Sequence, residues 1–212
     1  MQQSNAPQRC IKILYQDKYI IVAYKPRPLD FHTDRLNFIH LINEKLGFRV
    51  YPVHRLDKDV DGVVIFGKTP YTSNVLVCQF KDKRIEKFYL AVVKGNLEKK
   101  MLIKKPIKIK GKCLRAETFV WPIETVNNQT LVKIITESGR FHQIKTHLYQ
   151  AGYPIIRDRN GCLLSAVMIS FIHPRSKKRL LVSCIKNSRT FRYWIDYTGT
   201  TPRINRRSLL SG

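Results

Sequence analysis

Apolar residues in this chain fall in short runs separated by polar punctuation, and the period of each run predicts its element. Residues 11–24 (IKILYQDKYIIVAY) read as two strands rich in Ile, Val and Tyr around a turn at Gln16-Asp17-Lys18. Lys25-Pro26-Arg27-Pro28 then breaks the strand and imposes extended backbone. From Asn37, the positions Phe38, Leu41, Ile42 and Leu46 recur with helical spacing, and Gly47 stands where such a helix stops. A short strand over 63–66 is followed by Thr69-Pro70, a capping hydroxyl and a first-turn proline that open a helix running to about Lys81. Further strands are expected over 87–94, 131–136, 167–171 and 180–184. Ser138-Gly139 precedes a helix whose apolar face would be Phe141, Ile144, Leu148 and Ala151, ending at Gly152-Tyr153-Pro154.

Strands outnumber helices and do not alternate strictly with them, and no internal repeat or long linker divides the chain. The pattern predicts an α+β fold, helices packed on a mixed, mostly antiparallel sheet. The expected organisation is a flexible leader over 1–10, one domain over 11–199, and a basic, poorly ordered tail over 200–212.

Charge changes the picture most. The 212 residues carry 39 Lys plus Arg against 15 Asp plus Glu, a net +24, while 43% of residues are hydrophobic. A disordered basic arm is therefore excluded, and an excess of this size calls for a polyanionic partner, nucleic acid first and an anionic membrane surface second. No apolar window approaches the roughly 20 residues of a spanning helix, and the charge is not gathered on one amphipathic helix. Cys10, Cys78, Cys113, Cys162 and Cys184 form no CxxC pair, which points to reduced thiols in a cytoplasmic setting, an organelle remaining open. One basic stretch stands out: residues 99–115 hold eight Lys or Arg and no acid, with Pro106 and Gly111 inside, and read as a loop or irregular hairpin.

Two polar clusters could carry chemistry. The first is His54-Arg55-Leu56-Asp57-Lys58-Asp59-Val60-Asp61-Gly62. Its alternating acids match the start of a calcium loop, but that loop needs a bidentate Glu at its twelfth position, where this chain has Lys68. On spacing alone the cluster reads first as a solvated polar turn between strands, its acids offset by Arg55 and Lys58. The second, Gly139-Arg140-Phe141-His142-Gln143-Ile144-Lys145-Thr146-His147, would place His142, Lys145 and Tyr149 on one helix face, a face that could be merely solvated or could hold phosphate.

Taken together, the clusters resemble a known family. Pro52-Val53-His54-Arg55-Leu56-Asp57 with Gly62 is similar to the HRLD-x-x-T-S-G motif of the RluA-type pseudouridine synthases. Residues 87–95 (KFYLAVVKG) resemble their K-x-Y-L-A-x-V-x-G strand, and residues 139–147 resemble G-R-T-H-Q-I-R-x-H. Ala151-Gly152-Tyr153-Pro154-Ile155 with Asp158 looks like the segment that follows it, and Tyr24-Lys25-Pro26 with His32 looks like the family's entry segment. The matches keep the family's order from about residue 11 to about 184, in a short form with only some ten residues where an S4-like domain stands in some relatives.

The resemblance implies the pseudouridine synthase catalytic fold and isomerisation of a uridine in structured rRNA or tRNA by a monomer, without cofactor or metal. Asp57 would be the essential aspartate, acting on C1′ or on the base while the N-glycosidic bond breaks. Tyr89 would pack on the target base and assist loss of the C5 proton, and Lys145 takes the place of an arginine paired with the aspartate. Arg55 would fill the space the base vacates, with His54, Arg140, His142, Lys104, Lys105, Lys108 and Lys110 contributing to the RNA surface. The chain also departs from the pattern. T-S-G becomes Val60-Asp61-Gly62, Phe141 replaces a small hydroxyl residue, and Arg157 replaces the glycine before Asp158. Asp61 would disturb the nucleophile if the two carboxylates approached closely. These departures keep a second reading open, a catalytically degenerate RNA-binding protein acting in ribosome assembly.

Overall fold

Strands β1 (Lys12–Gln16) and β2 (Ile20–Lys25) open the computed structural model, which describes residues 11–204 and 206–210. The expected leader, with Cys10, lies outside the described residues. The chain continues through α1 (Phe38–Leu46), β3 (Tyr51–Pro52), β4 (Asp61–Gly67), α2 (Pro70–Lys81), β5 (Glu86–Lys94), β6 (Met101–Ile103), β7 (Ile107–Ile109) and β8 (Lys112–Leu114). It ends with β9 (Thr118–Val126), β10 (Gln129–Thr136), α3 (Gln143–Gln150), β11 (Arg157–Asp158), β12 (Gly161–Cys162), β13 (Leu164–Ile172), β14 (Arg179–Ser183), α4 (Arg189–Thr198) and α5 (Arg206–Leu210).

Ten strands form one sheet in the order β1-β2-β4-β13-β5-β10-β9-β6, with β3 paired to β4 and β14 to β13. Among its pairs only β4 and β13 run parallel. Helices cover both faces, which is why β2, β4 and β5 are near-continuous apolar runs instead of alternating ones. Ile21, Ala23, Val64, Phe66, Ala91 and Val93 turn to the face carrying α1 and α3, while Ile20, Val22, Val63 and Ile65 meet α2 behind. Phe88, Leu90 and Val92 pack on α4 and α5 through Phe191, Trp194 and Leu209.

The expected helix boundaries hold for local reasons. The Asn37 side chain accepts from the His40 N–H at 2.9 Å, and Gly47 closes α1 in the left-handed conformation. Thr69 and Thr72 cap α2 reciprocally, with Pro70 in its first turn. Other elements differ from expectation. The basic stretch 99–115 forms the expected hairpin as β7–β8, but it also contributes β6 to the sheet edge. Strand β9 was not foreseen, since Pro122 interrupts its pattern; the ladder absorbs it at a register shift opposite Leu131 and Val132. The segment expected to be poorly ordered carries α5, held by a buried Leu209.

Gly62 fixes the junction beneath the first polar cluster. It adopts φ +136°, and a Cβ added there would stand 2.1 Å from the Ala166 carbonyl oxygen on β13. Only glycine lets β4 approach β13 this closely at such a φ. Gly62→Ala should therefore cost about 3 kcal/mol or more of stability, read as a large drop in thermal midpoint or loss of soluble protein.

Candidate active site

The first polar cluster is the turn between β3 and β4. Leu56 and Val60 are buried and act as its anchors, and the Val60 N–H donates to the Asp57 carbonyl at 3.1 Å. Beneath it lies Lys25, at the end of β2 and fully buried. Its ammonium donates to the carbonyls of Val60 at 2.9 Å, Asp57 at 3.0 Å, and Lys58 and Pro26 at 3.3 Å. Burial pulls the Lys25 pKa down to about 8, against the opposing charges of Asp61, Asp59 and Asp57. This cation stands in for water at four carbonyls and rigidifies the turn that presents Asp57.

His54 secures the other end of the turn. Its Nε2 accepts from the Ile65 N–H at 3.2 Å, and its ring packs 5.0 Å from Phe80. Burial, with the charge of Lys87 adding to it, pushes the imidazole down to about 3, so the ring is neutral. His54 lines the cleft, but its geometry is that of a brace for the turn more than of a contact for RNA.

Helix α3 supplies the opposite wall, and buried polar residues set its position. Gln143 accepts from the Arg140 N–H and the Ser138 hydroxyl at 3.1 and 2.8 Å, and donates to the Glu117 carbonyl at 2.9 Å. His147 donates through Nε2 to the Lys105 carbonyl at 2.8 Å and meets the Thr118 hydroxyl at Nδ1, also at 2.8 Å. A carbonyl can only accept, which assigns the Nε2–H tautomer. Ile144 and Leu148 fill the apolar side of the helix, each contributing about 1.5–3 kcal/mol by burial. Phe141 does not join them. The helix proper begins at Gln143, His142 before it is left-handed at φ 53°, and Phe141 is 58% exposed. Tyr149, expected beside His142 and Lys145, is 74% exposed and does not line the cleft.

The two walls meet at an ion-pair network. The Lys145 ammonium donates to Asp57 Oδ2 at 2.9 Å and to Asp59 Oδ1 at 2.6 Å, and His142 Nε2 lies 3.5 Å from the same Asp57 oxygen. Burial works against the Lys145 charge, but the hydrogen bonds and charges of Asp59 and Asp57 outweigh it and hold the ammonium above the ordinary lysine value. Burial likewise opposes the Asp59 carboxylate, and Lys145 more than offsets it, so Asp59 titrates below its usual range. Asp59 was absent from the expected site. Asp61, expected as the disturbing neighbour, is instead fully buried on β4, accepting from Tyr24 Oη and Ser165 Oγ at 2.7 Å and the Arg189 N–H at 3.0 Å. These partners hold it among β2, β13 and the start of α4, apart from the cleft.

Asp57 opens on a cleft of about 540 Å³ lined also by Arg55, Tyr89, Arg140, His142 and Lys145. Tyr89 comes from β5, on the sheet face that carries α3, and is almost wholly buried in the cleft wall. Arg55 is exposed at the rim, 3.5 Å from His32. The four lysines of the basic stretch expected at the RNA surface lie outside this cleft. Lys104 faces Glu117 at 3.8 Å, Lys105 serves through its carbonyl, and Lys108 and Lys110 sit on the β7–β8 hairpin beside Phe141. Asp158 has a structural part, gripping Arg27 at 2.8 Å and Arg189 at 3.3 Å.

Comparisons with known proteins bear on what this arrangement serves. A model of the family described as RNA pseudouridylate synthase matches residues 19–150. The tRNA pseudouridine synthase C of Haemophilus influenzae is 27% identical, covering 82% of this chain and 92% of that protein. That of Pasteurella multocida is 30% identical over 70% of this chain and 73% of its own. A ribosomal large subunit pseudouridine synthase C of Buchnera aphidicola is 30% identical over 81% of this chain, which spans 65% of that relative's length. Among solved structures, human RNA pseudouridylate synthase domain containing 1 superposes over the whole chain and 98% of its own, with a TM-score of 0.79 at 16% identity.

Proposed function

The chain belongs to the RNA pseudouridylate synthase family, a family of isomerases, and from that premise we propose that it converts a specific uridine of rRNA or tRNA to pseudouridine with Asp57 as the essential carboxylate. The observation that carries this reading is the Asp57 carboxylate, paired with Lys145 at 2.9 Å, in a cleft whose wall is Tyr89. The target nucleotide leaves its stack and enters the cleft, with Arg55 at the rim to occupy the gap. Asp57 attacks C1′ or the base as the N1–C1′ bond breaks. The base turns, C5 bonds to C1′ as the bond to Asp57 breaks, the C5 proton leaves with Tyr89 close by, and N1 takes up a proton, so no atom or electron is gained or lost overall. Lys145 holds the Asp57 carboxylate in place through their 2.9 Å contact, and the aromatic wall keeps water from the detached base.

The binding-only reading rested on Val60, Asp61 and the high net charge. Asp61 is bound elsewhere, Val60 anchors the turn, and Lys145 keeps an ion pair with Asp57, so these departures leave the chemistry supported. Release of tritium from RNA labelled at uridine C5, prepared from cells lacking the protein, tests the isomerase directly; no release from any such RNA would sink it. Affinity for the same RNA should fall roughly 10- to 1,000-fold between 50 and 200 mM salt, measured by filter binding, because phosphate contacts release counterions.

A further inference from the structure

The β7–β8 hairpin and the start of α3 enclose a second groove of about 760 Å³, which shares His142 with the Asp57 cleft. Ile107 and Ile109 form one wall, Phe141 the other, with Lys108 and Lys110 on the hairpin. Among the described residues no acidic side chain lines it. Phe141 is the exposed aromatic of this groove, and its ring stacks on His142 with centroids 3.8 Å apart and planes 21° from parallel. The left-handed turn at His142 sets both rings, bringing His142 to Asp57 and leaving Phe141 against the hairpin. An aromatic face opposite an aliphatic wall suits a nucleobase, and ammonium groups beside it suit a phosphate. A base seated there would lie beside the His142 ring, which also lines the Asp57 cleft.

We propose that this groove is a stacking subsite for an unpaired nucleotide that flanks the target uridine, its base on Phe141 and its phosphate met by Lys108 and Lys110. The inference rests on the RNA-modifying reading above and adds a requirement to it: the neighbour of the target must also be free of its helix. Phe141 thereby contributes to substrate choice without touching the reacting atoms.

Phe141→Ala and Phe141→Trp should be compared with the wild type on C5-tritiated total RNA from cells lacking the protein. The alanine variant should raise KM roughly 5- to 100-fold at near-normal kcat, and tryptophan should restore it. Lys108→Ala with Lys110→Ala should lower the slope of affinity against salt by about 1–2. Because Phe141 is exposed, thermal midpoints should stay together. An unchanged KM in Phe141→Ala overturns the subsite; so does a fall in kcat at constant KM, which would place Phe141 as a support for His142. If the wild type releases no tritium, the functional reading fails, and filter binding still decides the groove: weaker binding by Phe141→Ala upholds it, equal binding overturns it.

Discussion

Asp57→Asn should give a folded protein that still binds RNA but releases C5 tritium at least ~10⁴-fold more slowly than the wild type. The amide is nearly isosteric and its oxygen can still accept from the Lys145 ammonium, so the turn over Lys25 is undisturbed. What disappears is the charge and the nucleophilic oxygen. Asp59 makes this a discriminating experiment, because a second carboxylate lies closer still to Lys145, at 2.6 Å against 2.9 Å. Asp59 does not line the cleft, and it faces Arg157 at 3.8 Å and packs on Gly161. Asp59→Asn should therefore slow turnover only about tenfold, through looser placement of Lys145. Wild-type tritium release by Asp57→Asn would move the nucleophile elsewhere, and the same loss in both variants would mean that the pair acts as one unit. RNA affinity of Asp57→Asn should equal or slightly exceed that of the wild type, since a negative charge has been removed from a polyanion site.

Much of this site was legible in the sequence because its residues sit at fixed positions within matched motifs. Asp57, Tyr89 and Lys145 come from three separate segments, and the fold does bring them to one cleft. Asp59 and Asp61 were harder to place. Acids at alternate positions share a face in an extended strand, but the hydrogen bond from Val60 to Asp57 closes a turn that breaks the alternation. Asp57 and Asp59 consequently reach Lys145, while Asp61 enters β4 and turns to Tyr24 and Ser165. The work of Lys25 was hidden for another reason: its partners are backbone carbonyls, which no side-chain pattern records. Helix α4 was missed although Ser188 and Gly199 mark its ends, because Arg and Tyr obscure the short apolar stripe of Phe191 and Trp194. Phe141 was assigned to the core by its spacing, and the left-handed residue at His142 cancels that spacing.

Lys145→Met should separate the stabilising part of the ion pair from its chemical part. Removing the cation takes from Asp57 and Asp59 the partner they share and leaves only the longer contacts to His142 at 3.5 Å and Arg157 at 3.8 Å, at a cost of about 2–3 kcal/mol of stability and on the order of a 10²- to 10³-fold loss of turnover. Lys145→Arg should keep both within about tenfold, since the guanidinium restores the charge and can reach two carboxylates at once. The pH dependence has a definite sign. Asp59 titrates below its unfolded value, so it contributes stability above the ordinary carboxylate range and loses it as pH falls through the lowered value. Lys145 titrates above its unfolded value, so its contribution is complete below the ordinary lysine range and is lost as pH rises through the raised one. The difference in thermal midpoint between wild type and Lys145→Met should therefore be widest across neutral pH and shrink towards both extremes. A difference that stays constant from acid to alkali would show that the lysine acts by packing its stem, and that the carboxylates do not depend on its charge.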